Sequence, residues 1–81
     1  MIYPVQIRAA RVLVGLSQQD LAKLAGIGLA TLKRIEGAGA ELTGTAQTMA
    51  RIQRALESAG VIFLDAAGNA GPGVRLRNPL P

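Results

Sequence analysis

The residues best suited to chemistry in this chain are cationic and hydroxyl side chains. Thr31 and Arg34 lie three residues apart, so they share one face if the segment is helical, and Lys33 lies beside them. An arginine can bind a guanine edge through two hydrogen bonds, and a threonine can contact a thymine methyl group or a phosphate. If the surrounding segment is a helix that meets DNA, we expect Thr31 and Arg34 to contact a groove, and Lys33 to contact a phosphate or to face solvent. The alternative is an ordinary polar helix face.

Catalytic and metal-binding chemistry finds little support in the composition. The 81 residues include no histidine, no cysteine and only five carboxylates. Asp20 and Glu36 are better interpreted as a helix cap and a helix-face residue than as an acid–base pair. Without thiolates or imidazoles, a transition-metal site would lack its preferred ligands. The sequence therefore predicts a protein that is not an enzyme and that has no catalytic residues, no metal site and no cofactor.

Length and charge indicate a single small domain with an acidic partner. Hydrophobic residues make up 49% of the chain and aromatic residues 2%, so we expect a core of aliphatic side chains. The net charge of +4 agrees with a nucleic-acid partner but is too small to establish one alone. The sequence contains no apolar run long enough to cross a membrane and no secretion signal, so we expect a cytoplasmic location.

Apolar periodicity predicts four helices in the first three quarters of the chain. The first spans residues 4–14, begins at a proline and leaves Arg8 and Arg11 outside its apolar face. The fourth follows a glycine-rich loop, is capped by Thr43 or Thr45, and ends before a glycine. These segments alone are typical of a small helical bundle.

The two central helices are short and meet at a glycine. Ser17 can accept a hydrogen bond from the first turn and Asp20 can reach back to the Ser17 N–H, so the pair predicts a helix start. Gly26 suits the left-handed conformation that ends a helix, and Gly28 can cap the next helix, over residues 29–36. Leu21, Leu24 and Ala25 recur at helical spacing in the second helix, so we expect them on one apolar face. Ala22 and Ala25 are small enough for the two helices to cross closely. The pattern predicts a helix-turn-helix unit.

With these features the chain resembles the phage-repressor-like (Cro/CI, or Xre) family of helix-turn-helix proteins, over roughly residues 6–60. The matching residues are Ser17, Gln18, Leu21, Ala22, Ala25, Gly26, Ile27, Leu32, Ile35, Glu36 and Gly37. The resemblance implies that the helix over residues 29–36 enters the major groove of double-stranded DNA. It also implies that Gln18 bonds a phosphate or base edge and that the loop 37–44 follows the phosphate backbone. For Gln18 the alternative is a solvated residue of the first turn.

The start of the third helix departs from the family pattern. The family usually has polar residues where base edges are met, whereas this chain has Gly28, Leu29 and Ala30. If DNA is bound, Leu29 and Ala30 are expected to contact thymine methyl groups. They could equally be a tolerated apolar start to a helix.

Beyond residue 60 the pattern changes from helical to strand-like. Residues 61–64 favour a strand, residues 65–73 form a turn, and residues 74–77 alternate, so 61–77 is predicted to be a β-hairpin of the same domain as the helical residues 1–60. A lone hairpin is marginal in water, so we expect it to join two subunits. The expected dimer contact comprises Val61, Ile62, Phe63, Leu64, Val74 and Leu76. The alternative is that one face packs on the helices while the other stays partly exposed.

Together these features predict a mainly α fold, a four-helix repressor-like helix-turn-helix domain with a C-terminal β-hairpin. The predicted function is a sequence-specific DNA-binding regulator, acting as a homodimeric repressor. The alternative from a different class is a protein-interaction module of antitoxin or adaptor type. Its partner would bind the Leu29–Ala30 corner and the 61–64 strand.

Overall fold

The chain folds, in a computed structural model, into four helices followed by a hairpin, described for residues 2–38 and 44–81. The elements are α1 (Pro4–Leu13), α2 (Gln18–Ala25), α3 (Leu29–Glu36), α4 (Ala46–Ser58), β1 (Val61–Leu64) and β2 (Gly73–Leu76). The predicted fold class is confirmed. Most of the loop predicted to follow the phosphate backbone, and the possible cap Thr43, lie outside the described residues.

The helix starts follow from local side-chain hydrogen bonds. Ser17 Oγ accepts from the Asp20 N–H at 3.0 Å, and the Asp20 carboxylate accepts from the Ser17 N–H at 3.1 Å, which is the predicted capping box of α2. The hydrogen bond from the Ser17 N–H to the carboxylate is the main cause that lowers the pKa of Asp20 from its ordinary value, and a side-chain hydrogen bond with Ser17 lowers it further. Thr45 caps α4 by accepting from the Thr48 N–H at 3.1 Å. Each cap supplies an acceptor to an otherwise unpaired backbone donor.

Aliphatic side chains from every element form the core. Its largest fully buried aliphatic side chains are Ile7, Leu21, Leu32, Ile35, Ile52, Leu56 and Val61. Helix α2 packs against both α3 and α4, and its alanines Ala22 and Ala25 are buried. Leu24, which the apolar spacing assigned to the same helix face, is instead 61% exposed. The periodicity is therefore correct for α2 except at Leu24.

The hairpin docks on the helices through a buried glutamine. Strands β1 and β2 are antiparallel, with Phe63 opposite Val74, and they pack against α4 and α1 respectively. Gln6 on α1 is only 5% exposed, and its Nε2 donates to the carbonyl oxygens of Leu64 at 3.3 Å and Gly73 at 3.0 Å. Its Oε1 accepts from a backbone N–H at the start of α1. One side chain thus ties both strands to the first helix.

The packing of the hairpin corrects the predicted dimer contact. Val61 is fully buried within the chain, and Phe63 and Val74 pack against the core. Because strand side chains alternate between faces, Ile62 and Leu64 lie on the opposite, outer face. Ile62 is half-buried and Leu64 is 41% exposed. The expectation that the whole first strand contacts a partner is wrong for Val61, because the helices of its own chain already cover it.

Candidate DNA-binding surface

A left-handed glycine makes the turn between α2 and α3. Gly26 has φ 70° and ψ 37°, a conformation that costs a residue with a Cβ atom about 1–2 kcal/mol. The next residue, Ile27, is half-buried against the core, and its N–H donates to the Ala22 carbonyl oxygen at 3.0 Å. Gly28 follows in an extended conformation as the N-cap of α3. The two helices are therefore joined by the predicted tight turn.

Helix α3 presents one basic face to solvent. Ala30, Lys33 and Arg34 are exposed, at the i, i+3, i+4 spacing of one helix face. The opposite face buries Leu32, Ile35 and Glu36. Thr31 and Leu29 lie at the boundary and are half-buried, and Leu29 packs against the core. Of the residues predicted to meet DNA on this helix, Ala30, Lys33 and Arg34 are thus the most accessible.

A buried ion pair fixes the end of α3. Glu36 is 3% exposed, and its two carboxylate oxygens accept from Nε and Nη2 of Arg11, both at 2.9 Å. This two-point geometry is the strongest form of an arginine–carboxylate contact. The expectation that Arg11 lies away from the core and Glu36 on an ordinary helix face is wrong. Their pairing, across 25 residues of sequence, had no local signal.

Hydrogen bonds to the Glu36 carboxylate connect the ends of α1, α2 and α3. Gln18, the first residue of α2, donates from Nε2 to Glu36 Oε1 at 3.2 Å. Arg8 on α1 donates to the Glu36 backbone carbonyl at 2.8 Å, and Arg11 Nη1 donates to the Leu16 carbonyl at 3.1 Å. Gln18 is thus half-buried and hydrogen-bonded to Glu36 and is not a solvated residue of the first turn. The network sets α3 at a fixed position relative to α1 and α2.

The sequence profile of a helix-turn-helix family matches residues 7–57, which is more than half of the chain. The match extends from α1 to the last turn of α4 and so includes the whole of the motif described above. The chain belongs to the phage-repressor-like helix-turn-helix family. Its members are DNA-binding regulators, and this protein is accordingly a DNA-binding helix-turn-helix regulator. No curated protein matches the sequence.

Other basic residues of this helix-turn-helix protein lie outside the motif. Arg51 and Arg54 are exposed on α4, and Arg51 Nη1 donates to the Gly26 carbonyl oxygen at 3.3 Å. In the hairpin, Arg75 is exposed, and Arg77 donates to the carbonyl oxygen of Glu57. Arg51 and Arg77 thus satisfy carbonyl groups at the ends of α2 and α4, where a positive charge is favourable.

The rest of the helix-turn-helix domain offers little other chemistry. Within residues 2–38 and 44–81, no cluster of three carboxylate, histidine or cysteine side chains is placed to hold a metal ion. No helix in that part of the chain is both long and apolar enough to cross a membrane. The alternative protein-binding corner at Leu29 and Ala30 presents less apolar surface than expected, because Leu29 packs against the core.

Proposed function

We propose that this protein is a repressor that occupies a specific DNA site with α3 in the major groove and α2 across the backbone. The observation that carries the proposal is the basic outer face of α3, whose inner face is held by a buried ion pair. A helix fixed in this way presents its side chains in one geometry, as base recognition requires. Occupation of a promoter by such a domain blocks access to the DNA without any catalytic step.

Individual roles follow from position and exposure. Arg34 reads a base edge, Lys33 binds a phosphate, and Thr31 contacts a methyl group or phosphate at the boundary of the same face. The exposed residues at the start of the helix, Gly28 and Ala30, allow close approach to the groove floor, with half-buried Leu29 beside them.

Gln18 can bind the phosphate backbone without leaving its buried partner. A glutamine amide has two N–H groups, and one of them is donated to Glu36. The second is available to a phosphate at the start of α2, where the helix dipole also favours an anion. Glu36 would then orient the amide that contacts DNA.

The repressor is proposed to act as a homodimer in the cytoplasm. A domain of 81 residues buries a modest core, and on the outer face of β1 Leu64 is exposed and Ile62 only half-buried. Pairing of these faces about a two-fold axis would place two copies of α3 in successive major grooves, about 34 Å apart. The corresponding DNA site is an inverted repeat.

Selection of bound sequences from random double-stranded DNA tests this function. The expected product is an inverted repeat whose half-sites are centred about one helical turn apart. The affinity for the selected site should fall linearly on a log–log plot against salt, with a slope of about 0.9 for each phosphate bound. Selection that enriches no sequence, or an affinity that is insensitive to salt, would contradict the proposal.

A further inference from the structure

We propose that a groove between α2 and α4 binds a segment of a partner protein in which an acidic residue lies next to an apolar one. The groove has a volume of about 280 Å³ and is open to solvent. It is lined by Leu24, Ala25, Arg51, Arg54, Ala55 and Ser58. None of these residues belongs to the surface proposed for DNA or to the proposed dimer face.

The apolar part of the groove can accommodate one aliphatic or aromatic side chain of a partner. Leu24 forms its wall and is 61% exposed, although Leu21 and Ala25 on the same helix are buried in the core. The small side chains of Ala25 and Ala55 leave space beside it. A single exposed leucine is ordinary, but a leucine in a concave site next to small residues can bury a partner side chain on several sides.

The charged part of the groove, formed by Arg51 and Arg54, favours carboxylate ligands. Arg51 is held in place by its hydrogen bond to the Gly26 carbonyl oxygen, while the Arg54 side chain has no hydrogen bond or ion pair with any residue that the structure describes. In the described part of the chain, no carboxylate lines the groove. The nearby Glu57 accepts a hydrogen bond from Gln53 at 3.3 Å, one turn earlier on α4. The two guanidinium groups therefore favour an anionic ligand.

The combination of the two parts selects the class of partner. A DNA or RNA backbone would use the arginines but would leave the exposed Leu24 without a contact. A protein segment with an aspartate or glutamate beside an aliphatic or aromatic residue would satisfy both parts of the groove. We therefore assign the groove to such a segment, and this assignment does not depend on the proposed repressor activity.

Selection from a displayed library of random peptides tests the groove, with the whole protein as bait and no DNA present. The enriched peptides should carry Asp or Glu next to an apolar residue. They should bind at least tenfold more weakly to the Arg54→Glu and Leu24→Ser variants. Lys23→Glu, which makes the same charge change at an exposed residue of α2 that does not line the groove, is the matched control and should retain the affinity. Thermal melting checks that each variant is folded.

Three outcomes would overturn the assignment. One is the absence of acidic, apolar peptides from the selected pool. Another is equal peptide affinity for Arg54→Glu and Lys23→Glu, since simple long-range charge would then explain the binding. The third is a loss of DNA affinity in Arg54→Glu together with no effect on peptide binding. That result would assign the groove to the phosphate backbone instead.

Discussion

At the scale of single residues, the buried carboxylate of Glu36 has the largest expected effect on stability. Glu36→Ala should lower the free energy of unfolding by about 3 kcal/mol, because it leaves the Arg11 guanidinium, 16% exposed, without its anion. For a small domain this is a large part of the total stability. Denaturant-induced unfolding followed by circular dichroism measures the change.

The double variant Arg11→Met/Glu36→Leu provides the control for Glu36→Ala. It removes both charges, so no unpaired ion remains in the core, and it should be more stable than the single variant. A double variant less stable than Glu36→Ala would mean that side-chain volume, and not the unpaired charge, causes the loss.

Arg34 and Lys33 provide a matched pair on the exposed face of α3. Arg34→Ala should cost about 1–3 kcal/mol of specific DNA binding and relax the preference at one base position. Lys33→Ala should weaken binding to all sequences alike and reduce the salt slope by about 1. A competition assay between specific and random DNA separates the two effects. Equal loss on both DNAs in Arg34→Ala would make Arg34 a phosphate contact.

The residues of this site differ in how far sequence could predict them. The exposure of Lys33 and Arg34 follows from helical periodicity, because apolar neighbours fix which face is buried. The same reasoning misplaced Arg11 and Glu36, because periodicity assigns every charged residue to the solvent face. A buried charge is stable only with its partner, and that partner lies on another helix.

At the scale of elements, the motif depends on the backbone of Gly26. Gly26→Val should destabilise the protein by at least about 1–2 kcal/mol, because a β-branched residue resists a positive φ. In a domain of this size each kcal/mol lowers Tm by roughly 4–8 °C. Among the described residues, a Cβ atom there would meet only Arg51 Nη1 at 3.7 Å, so the expected cause is backbone strain and not crowding. Differential scanning calorimetry measures the shift.

Asparagine is the control at this turn, since it tolerates the left-handed region better than other residues with a side chain. Gly26→Asn should recover most of the stability lost in Gly26→Val. If Gly26→Val melts at the same temperature as the unmodified protein, the turn does not constrain the motif.

Elements with local signals were predicted well, and the orientation of the hairpin was not. Ser17, Asp20 and Gly26 mark the limits of α2 through interactions within a few residues, so sequence reveals them. Strand β1 is apolar on both faces, and no local pattern shows which face meets the helices. That choice depends on the docking of α1, where Gln6 binds both strands.

At the scale of the whole molecule, the proposed homodimer depends on the outer face of the hairpin. Leu64→Asp should separate the subunits while the domain stays folded, because Leu64 is 41% exposed on the outer face. Phe63→Asp should instead destabilise the fold, because Phe63 packs against the core. Sedimentation velocity and thermal melting together distinguish the two variants. An unmodified protein that stays monomeric at high concentration, or a selected DNA site without two-fold symmetry, would contradict the dimer.

The two hydrogen bonds from Gln6 to the hairpin also determine when the fold can be completed during synthesis. The acceptors lie 58 and 67 residues further along the chain, so α1 leaves the ribosome long before they do. Until β2 has been made, the Gln6 amide has neither carbonyl oxygen of the hairpin to bind and must hydrogen-bond to water instead. The face of α1 that carries Gln6 therefore stays hydrated until both strands have emerged. Closure of β2 on α1 is the step that replaces this water with the two carbonyl oxygens.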